Sequence, residues 1–285
     1  MNVQDKIDGA TAQRGVVKRT MRDAITAPGS LEAIARVHPA IALLKPEARQ
    51  PAAMRLAMIA YACVLKNSAL AKCDPSSIVV AVVEAAQLGL SVDGVLGQAY
   101  IVPYANSATM QIGYRGFVAL AHASGHVQRL QAASIYSGDQ FAYEEGSQPF
   151  LRHNAPLTGS RGERLGAYAI CHLKGADLAM FRVMGMPELN EHRDRSMSFK
   201  RNKAASPWTT DPAAMEQKTA VRMLAKMMPV AVLQYAAARD ESADQGIVTP
   251  PADPKDVSDL PVDVPVDDGP SEAEYQAALA AEEGT

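Results

Sequence analysis

The sequence predicts an α+β fold: a helical N-terminal part, then a β-hairpin and an antiparallel sheet packed by helices, then a disordered acidic C-terminal tail. Three observations predict it. Apolar residues recur at helical spacing up to Gly89, alternate with a period of two beyond it, and return to helical spacing after Asp211.

Residues 1–28 are polar, with Arg14, Lys18, Arg19 and Arg22 scattered through them, and read as a flexible or oligomerisation arm. They contain no apolar run of the kind a secretory signal needs. From Ser30 the pattern is helical. In "AAMRLAMIAYACVLKN", Met54, Met58, Tyr61, Ala62 and Leu65 fall at offsets 0, 4, 7, 8 and 11, which predicts one apolar helix face turned to the core. In "CDPSSIVVAVVEAAQLGL", Asp74 is an N-cap, Pro75 takes the first helical position where its missing N–H costs nothing, and Gly89 stops the helix.

"GQAYIVPY" and "TMQIGY", joined by Ala-Asn-Ser, predict a hairpin, and "RGFVALAHASG" a helix ending at Gly125. "VQRLQAASIY", "DQFAYEEG" and "RLGAYAICHLK" read as strands, and "KGAD" as a turn into the strand "LAMFRVMG". Pro187 opens a short helix to about Asp194, and an irregular loop follows. Asp211-Pro212 then starts a helix running to Met228. A core of 29–240 results. From 241 on, Pro and acid dominate, with too little apolar material to order itself. The final "SEAEYQAALAAEEGT" has Tyr275, Ala278 and Leu279 on one side of a potential helix, which reads equally as solvated tail or partner-docking peptide.

Formal net charge is -3, but 241–285 holds twelve Asp/Glu and one Lys, leaving the preceding residues at a net +8. A basic body with an acidic tail suggests a polyanion partner. Three cysteines without a C-x-x-C pair argue against a disulfide framework or zinc knuckle and fit a reducing, cytoplasmic setting. No stretch approaches a membrane span.

The catalytic motifs tested are absent. No Gly-Lys dipeptide exists for a phosphate loop, and Gly89, Gly94 and Gly97 do not fit a dinucleotide fingerprint. His122 and His126 are separated by the helix-breaking Gly125 and have no third ligand nearby. No serine sits in a nucleophile elbow. Glu144 and Glu145 are adjacent on a strand and point to opposite faces. A metal-dependent nuclease would need clustered carboxylates, and Asp139, Glu144, Glu145, Glu188 and Glu191 show no recognisable spacing.

The basic positions are more informative. Lys218, Arg222 and Lys226 recur every four residues, with Met215, Leu224, Met227 and Met228 on the other side as core. Lys200, Arg201 and Lys203 precede that helix in a loop with Trp208, the chain's one tryptophan. Cations in a row beside an aromatic suit single-stranded nucleic acid, with phosphates on the cations and a base or sugar against the ring. Tyr114 and Arg115 lie between Gly113 and Gly116, whose missing Cβ atoms allow another backbone to approach closely. Arg152, Lys174 and Arg182 are strand cations that belong either to the same groove or to a solvated sheet face.

Three blocks, "CDPSSIVVAVVEAAQLGLSVDGVLGQAYIVPY", "QIGYRGFVALAHASGHV" and "HRDRS…SPWTTDPAAMEQKTAVRMLAKMMP", resemble the RecT family of phage-type single-strand annealing proteins over roughly residues 50–230. The resemblance implies a compact α+β core that binds single-stranded DNA in a basic groove. It implies annealing of complementary strands through a duplex intermediate, in rings or helical filaments, without ATP and with magnesium at most a modulator. It also implies a partner exonuclease, and a tail that recruits it or the host single-strand-binding protein, or else screens the groove. Tyr114, Arg115 and Gly116 match the family's strand–helix junction; Trp208, Asp211, Met215, Lys218 and Arg222 match its spaced signature. The chain departs from the family where Met223, Ala225 and Met227 replace a basic and an aromatic pair. An RNA-binding regulatory module shares this surface chemistry, and only the resemblance separates it from DNA binding.

Overall fold

A computed structural model of the chain describes residues 21–247. The expectations for residues 1–20 and for 248–285 fall outside the described residues. The remainder of the expected arm is core: residues 21–25 are helical, and Met21 and Ile25 are fully buried.

Helices α1 (Pro28–Val37), α2 (Pro39–Ala42) and α3 (Pro46–Lys66) each begin with proline at the first turn. α3 buries Ala53, Ala57, Ala60 and Val64, the stripe beside the expected one, while Met54, Met58 and Leu65 are exposed. The physical reason is size. Alanines let α3 lie close against α1, with which it packs, and the bulkier neighbours are rotated outward. A 3₁₀ turn at Leu70–Lys72 leads to α4 (Pro75–Gln87). Asp74 caps α4 by accepting from the Ser76 amide, and Gly89 follows its end at φ +66.

Strands β1 (Ala99–Tyr104) and β2 (Ser107–Ile112) form the expected hairpin, with Tyr104 opposite Ser107 at the turn. The hairpin is pinned to the start of α4. The Asp74 amide donates to the Asn106 carbonyl at 2.7 Å, and the Ala108 amide to Ser77 Oγ at 2.8 Å. α5 (Tyr114–Ala123) has Gly113 as its N-cap and so begins one residue before the expected start at Arg115.

β3 (Val127–Tyr136), β6 (Arg164–Leu173) and β7 (Met180–Gly185) make an antiparallel sheet in the order β3-β6-β7. Alternation along β6 divides its residues between two cores. Ala167, Ala169 and Cys171 enter the main core, while Tyr168 and Ile170 join Phe181 in a smaller one. A separate ribbon, β4 (Gln140–Glu144) with β5 (Phe150–Asn154), covers that smaller core with Phe141 and Leu151. The sequence places Arg152 on a strand without delimiting it; that strand is β5. Buried Asp139 anchors the ribbon, accepting from Arg161 Nη2 at 2.6 Å, His153 Nε2 at 2.9 Å and the Tyr136 amide at 2.9 Å. Hydrogen bonding from Arg161 holds this carboxyl well below the usual carboxylate range.

α6 (Met186–Arg195) runs as predicted. The segment expected to be irregular holds two short helices, α7 (Met197–Arg201) and α8 (Pro207–Thr210). α9 (Pro212–Ala225) packs on the β3-β6-β7 sheet, starts at the Asp211 cap and ends three residues before Met228. The last helix among the described residues, α10 (Ala231–Asp244), carries the fold past the expected boundary at 240. Leu233, Ala236, Ala237 and Ala243 are fully buried there, so Glu241 and Asp244 belong to the core rather than to a tail. No helix among the described residues is long and apolar enough to cross a membrane.

Candidate nucleic-acid interface

The hairpin, the first turn of α5 and the start of α9 enclose a cleft of about 800 Å³. Tyr100, Pro103 and Gln111 line it from the hairpin, Tyr114 and Arg115 from α5, and Pro207, Asp211, Met215 and Lys218 from the α8–α9 side. Two blocks that the sequence singles out far apart are thus brought to one cavity. The junction needs glycine for the reason expected, although the backbone that approaches is the chain's own. A Cβ on Gly113 would stand 2.2 Å from the Gly97 carbonyl oxygen, and one on Gly116 2.2 Å from that of Gln98. Tyr114 is fixed by its hydroxyl, which accepts from the Ala132 amide at 3.3 Å, whereas Arg115 is exposed.

The row on α9 differs from its expectation as a solvated cationic face. Lys218 and Arg222 are 9% and 3% exposed. Lys218 Nζ donates to Asp240 Oδ1 at 3.0 Å, and Arg222 Nη1 lies 3.3 Å from both Asp240 Oδ2 and Asp244 Oδ2. Lys226 pairs with Glu241. Burial works against the charge on Arg222, but Asp240 and Asp244 outweigh it and keep the guanidinium protonated. The carboxylates are tied further: Asp240 Oδ1 accepts from the Ile112 amide at 2.9 Å, and Asp244 Oδ1 from Ser196 Oγ at 2.7 Å. The core side also shifts, since Met227 is exposed while Leu224 and Met228 are buried. Of the three cations only Lys218 lines the cleft.

Lys200, Arg201 and Lys203 are exposed on and after α7. Trp208 is 5% exposed, its ring turned inward, and Nε1 has no hydrogen-bond partner among the described residues. It packs the segment down and helps line a small cavity of about 280 Å³ with Phe199, Arg193 and Glu216. Phe199 takes the aromatic place beside the cations, with Arg193 Cζ 4.9 Å and Lys203 Nζ 5.5 Å from its ring centre. Sequence reasoning passed over Phe199 although it directly precedes Lys200. It also passed over Tyr100, whose outward place on a strand beside buried Ala99 was the available signal.

The strand cations do not line the cleft. Arg182 pairs with Glu188, Arg152 lies beside Phe150 on the outer face of the ribbon, and exposed Lys174 sits at the β6–β7 turn. The carboxylates considered for a nuclease are dispersed likewise: Asp139 is bound to Arg161 and Glu191 to Arg195. Among the described residues no three His, Cys, Asp or Glu side chains gather in a metal-holding group.

Comparison with known proteins agrees with the blocks quoted above. The model of the RecT family matches residues 54–253. Protein RecT of Escherichia coli (strain K12) is 34% identical over 220 residues, covering 72% of this chain and 77% of that protein. Uncharacterized protein YqaK of Bacillus subtilis (strain 168) is 39% identical over 70 residues, 25% of each.

Proposed function

The chain belongs to the RecT family, and from that membership we propose that it binds single-stranded DNA and anneals complementary strands in phage-type homologous recombination. It works as an oligomer, without ATP, in the cytoplasm. The observation that carries this reading is the cleft, lined by exposed Arg115 and the exposed aromatic ring of Tyr100, with Lys218, paired to Asp240, in its wall. A solvent-open cation and an aromatic face in one cleft suit an extended single strand.

The mechanism is concentration and alignment, with no covalent step. Exposed Arg115 and the Lys200–Lys203 cluster offset phosphate repulsion along one strand. The complementary strand samples registers until pairing supplies the driving force. Each phosphate neutralised steepens the salt dependence of binding by about 0.7 in log–log slope. The acidic segment beyond residue 247 recruits an exonuclease or the host single-strand-binding protein.

The test mixes two complementary labelled oligonucleotides with the protein, without nucleoside triphosphate, at two salt concentrations and with a magnesium arm. Fast, salt-sensitive annealing of intact strands is expected. Binding without annealing would reduce the protein to a nucleic-acid-binding module, equal affinity for RNA would favour the regulatory reading, and shortened strands would reveal a nuclease.

A further inference from the structure

The annealing mechanism makes no use of the cavity beside Trp208. Its volume is about 280 Å³, and its wall draws on the start of β6 (Arg164), α6 (Arg193), α7 (Phe199), α8 (Trp208) and the first turns of α9 (Pro212, Glu216). Pro207 and Asp211 line the cleft while Trp208 and Pro212 line the cavity, so one short segment walls both. Small-molecule sites run to roughly 300–1,000 Å³, so this one has room for a single ring system. The Phe199 ring, with Arg193 Cζ 4.9 Å from its centre, and the faces of Trp208 and Pro212 suit a flat occupant.

Two deeply buried polar groups in this wall are left unsatisfied. Trp208 Nε1, which can only donate, has no hydrogen-bond partner among the described residues. Glu216 is 3% exposed. Arg164 Nε donates to its Oε1 at 3.2 Å, whereas Oε2, equally near that nitrogen, accepts no hydrogen bond among the described residues. Buried polar groups are as a rule hydrogen-bonded, so an unpaired donor and an unpaired acceptor in one cavity point to a ligand that supplies both partners.

Flat heterocycles with donors and acceptors on one edge are nucleobases, read in such pockets by stacking and by hydrogen bonds to the pairing edge. Guanine is the base whose pairing edge sets two adjacent donor atoms, N1 and N2, beside an acceptor, O6; adenine, cytosine and thymine have no adjacent donor pair there. We propose that this cavity takes a guanine base, with the Glu216 carboxylate accepting from N1 and N2 and Trp208 Nε1 donating to O6. Arg164 and Arg193, 34% and 32% exposed, reach solvent and supply charge for the attached phosphate. The base arrives on a single strand or as a free guanine nucleotide. A strand held by exposed Lys203, whose Nζ lies 5.5 Å from the Phe199 ring centre, passes beside the cavity. That source rests on the single-strand reading above, whereas the cavity does not.

Trp208 is the chain's one tryptophan, so its emission reports directly on this cavity. Burial raises the Glu216 carboxyl from its ordinary value, with Arg164 acting against it, so titrations belong at pH 8, on the ionised side. Deoxyguanosine monophosphate added to the full chain should change the emission saturably, at concentrations at least about tenfold below those needed by the adenine, cytosine or thymine equivalents. Oligothymidylate carrying one central guanine should bind at least about fivefold tighter than plain oligothymidylate of the same length, as one bidentate base contact gives. Glu216→Gln turns one acceptor into a donor and should bring both preferences to within about twofold of parity. Trp208→Phe keeps a ring but loses the N–H, and should at least halve the oligonucleotide preference. Each preference is a ratio, so a loss of folded protein lowers both affinities alike and leaves it unchanged.

A mononucleotide response without an oligonucleotide preference upholds the site and assigns it to free nucleotide; the reverse upholds it and assigns it to the strand. The absence of both, a preference for another base, or a guanine preference that survives in Glu216→Gln would each overturn the proposal. Binding of plain oligothymidylate, measured in parallel, keeps the two readings apart. A guanine response without oligonucleotide binding refutes the single-strand function alone. Oligonucleotide binding indifferent to guanine, with no mononucleotide response, refutes this site alone.

Discussion

Arg222 gives the sharpest test, because the sequence and the structure assign it opposite duties. A cation on a phosphate-facing row can be removed at little cost to folding. A guanidinium that is 3% exposed and lies 3.3 Å from both Asp240 and Asp244 cannot. In Arg222→Ala, Asp240 keeps Lys218 and the Ile112 amide, but Asp244 keeps only Ser196 Oγ. Breaking a buried pair by removing one partner costs ~3–5 kcal/mol. Total stability for a domain is about 5–15 kcal/mol, so a large share would go. At about 2–4 °C per kcal/mol for a domain of this size, the melting temperature should fall by roughly 6–20 °C. Arg222→Lys retains the charge but loses the fork that reaches two carboxylates, and should fall between parent and alanine variant. The assay is a thermal melt by circular dichroism beside a salt titration of oligonucleotide binding. A fall of less than about 2 °C in Arg222→Ala, with a flatter salt slope, would refute the reasoning and return Arg222 to the DNA surface.

Three further outcomes are expected. Replacing Lys200, Arg201 and Lys203 together by alanine should leave the melting temperature within about 2 °C, since all three are exposed. If each holds one phosphate, the log–log salt slope of binding should flatten by about 2; an unchanged slope removes this segment from the groove. Gly116→Ala should destabilise by ~1–3 kcal/mol and impair binding, because its Cβ would stand 2.2 Å from the Gln98 carbonyl oxygen against the wall of the cleft; a parental melt would contradict that approach. Asp139, held low by Arg161, contributes stability that is present above the ordinary carboxylate pKa of about 3.9 and is lost as pH falls below it towards the folded value. Near-ultraviolet tyrosine signals from the ribbon should thus stay flat from pH 8 to about 5 and collapse only under stronger acid; loss above pH 5 would show that the Asp139 carboxylate is not the anchor.

Local chemistry made much of the fold legible. Asp74-Pro75 and Asp211-Pro212 mark helix starts because a short carboxylate and a fixed φ act within one turn, and the two-residue period of β1 and β2 needs no distant information. The face of α3 was not legible. Hydrophobic periodicity weights large side chains, so it selected Met54 and Met58, whereas packing selected Ala53 and Ala57, which permit closer helices. The α9 row failed for a related reason. Spacing of four reports which residues share a side of a helix and says nothing of what lies opposite it. The partners Glu241 and Asp244 stood in a stretch whose acidity reads as solvated tail, and Asp240 stood at the last position before it. Trp208 was conspicuous by rarity, which reports importance without distinguishing a packed ring from a stacking one.

The dependence on α10 has a consequence for how the chain comes into being. Asp240 holds the end of the hairpin 128 positions earlier, and Arg239 grips Glu84 across 155. During synthesis at about 5–20 residues per second, Lys218 and Arg222 emerge before the acids that neutralise them. For about a second or more the nascent protein is a body with an open flank and uncompensated cations, in a cell full of RNA. Closure waits for Asp244, so the last turn of α10 is also the latch of this flank, and a chain cut a few residues before the end of that helix should accumulate unfinished rather than fold weakly.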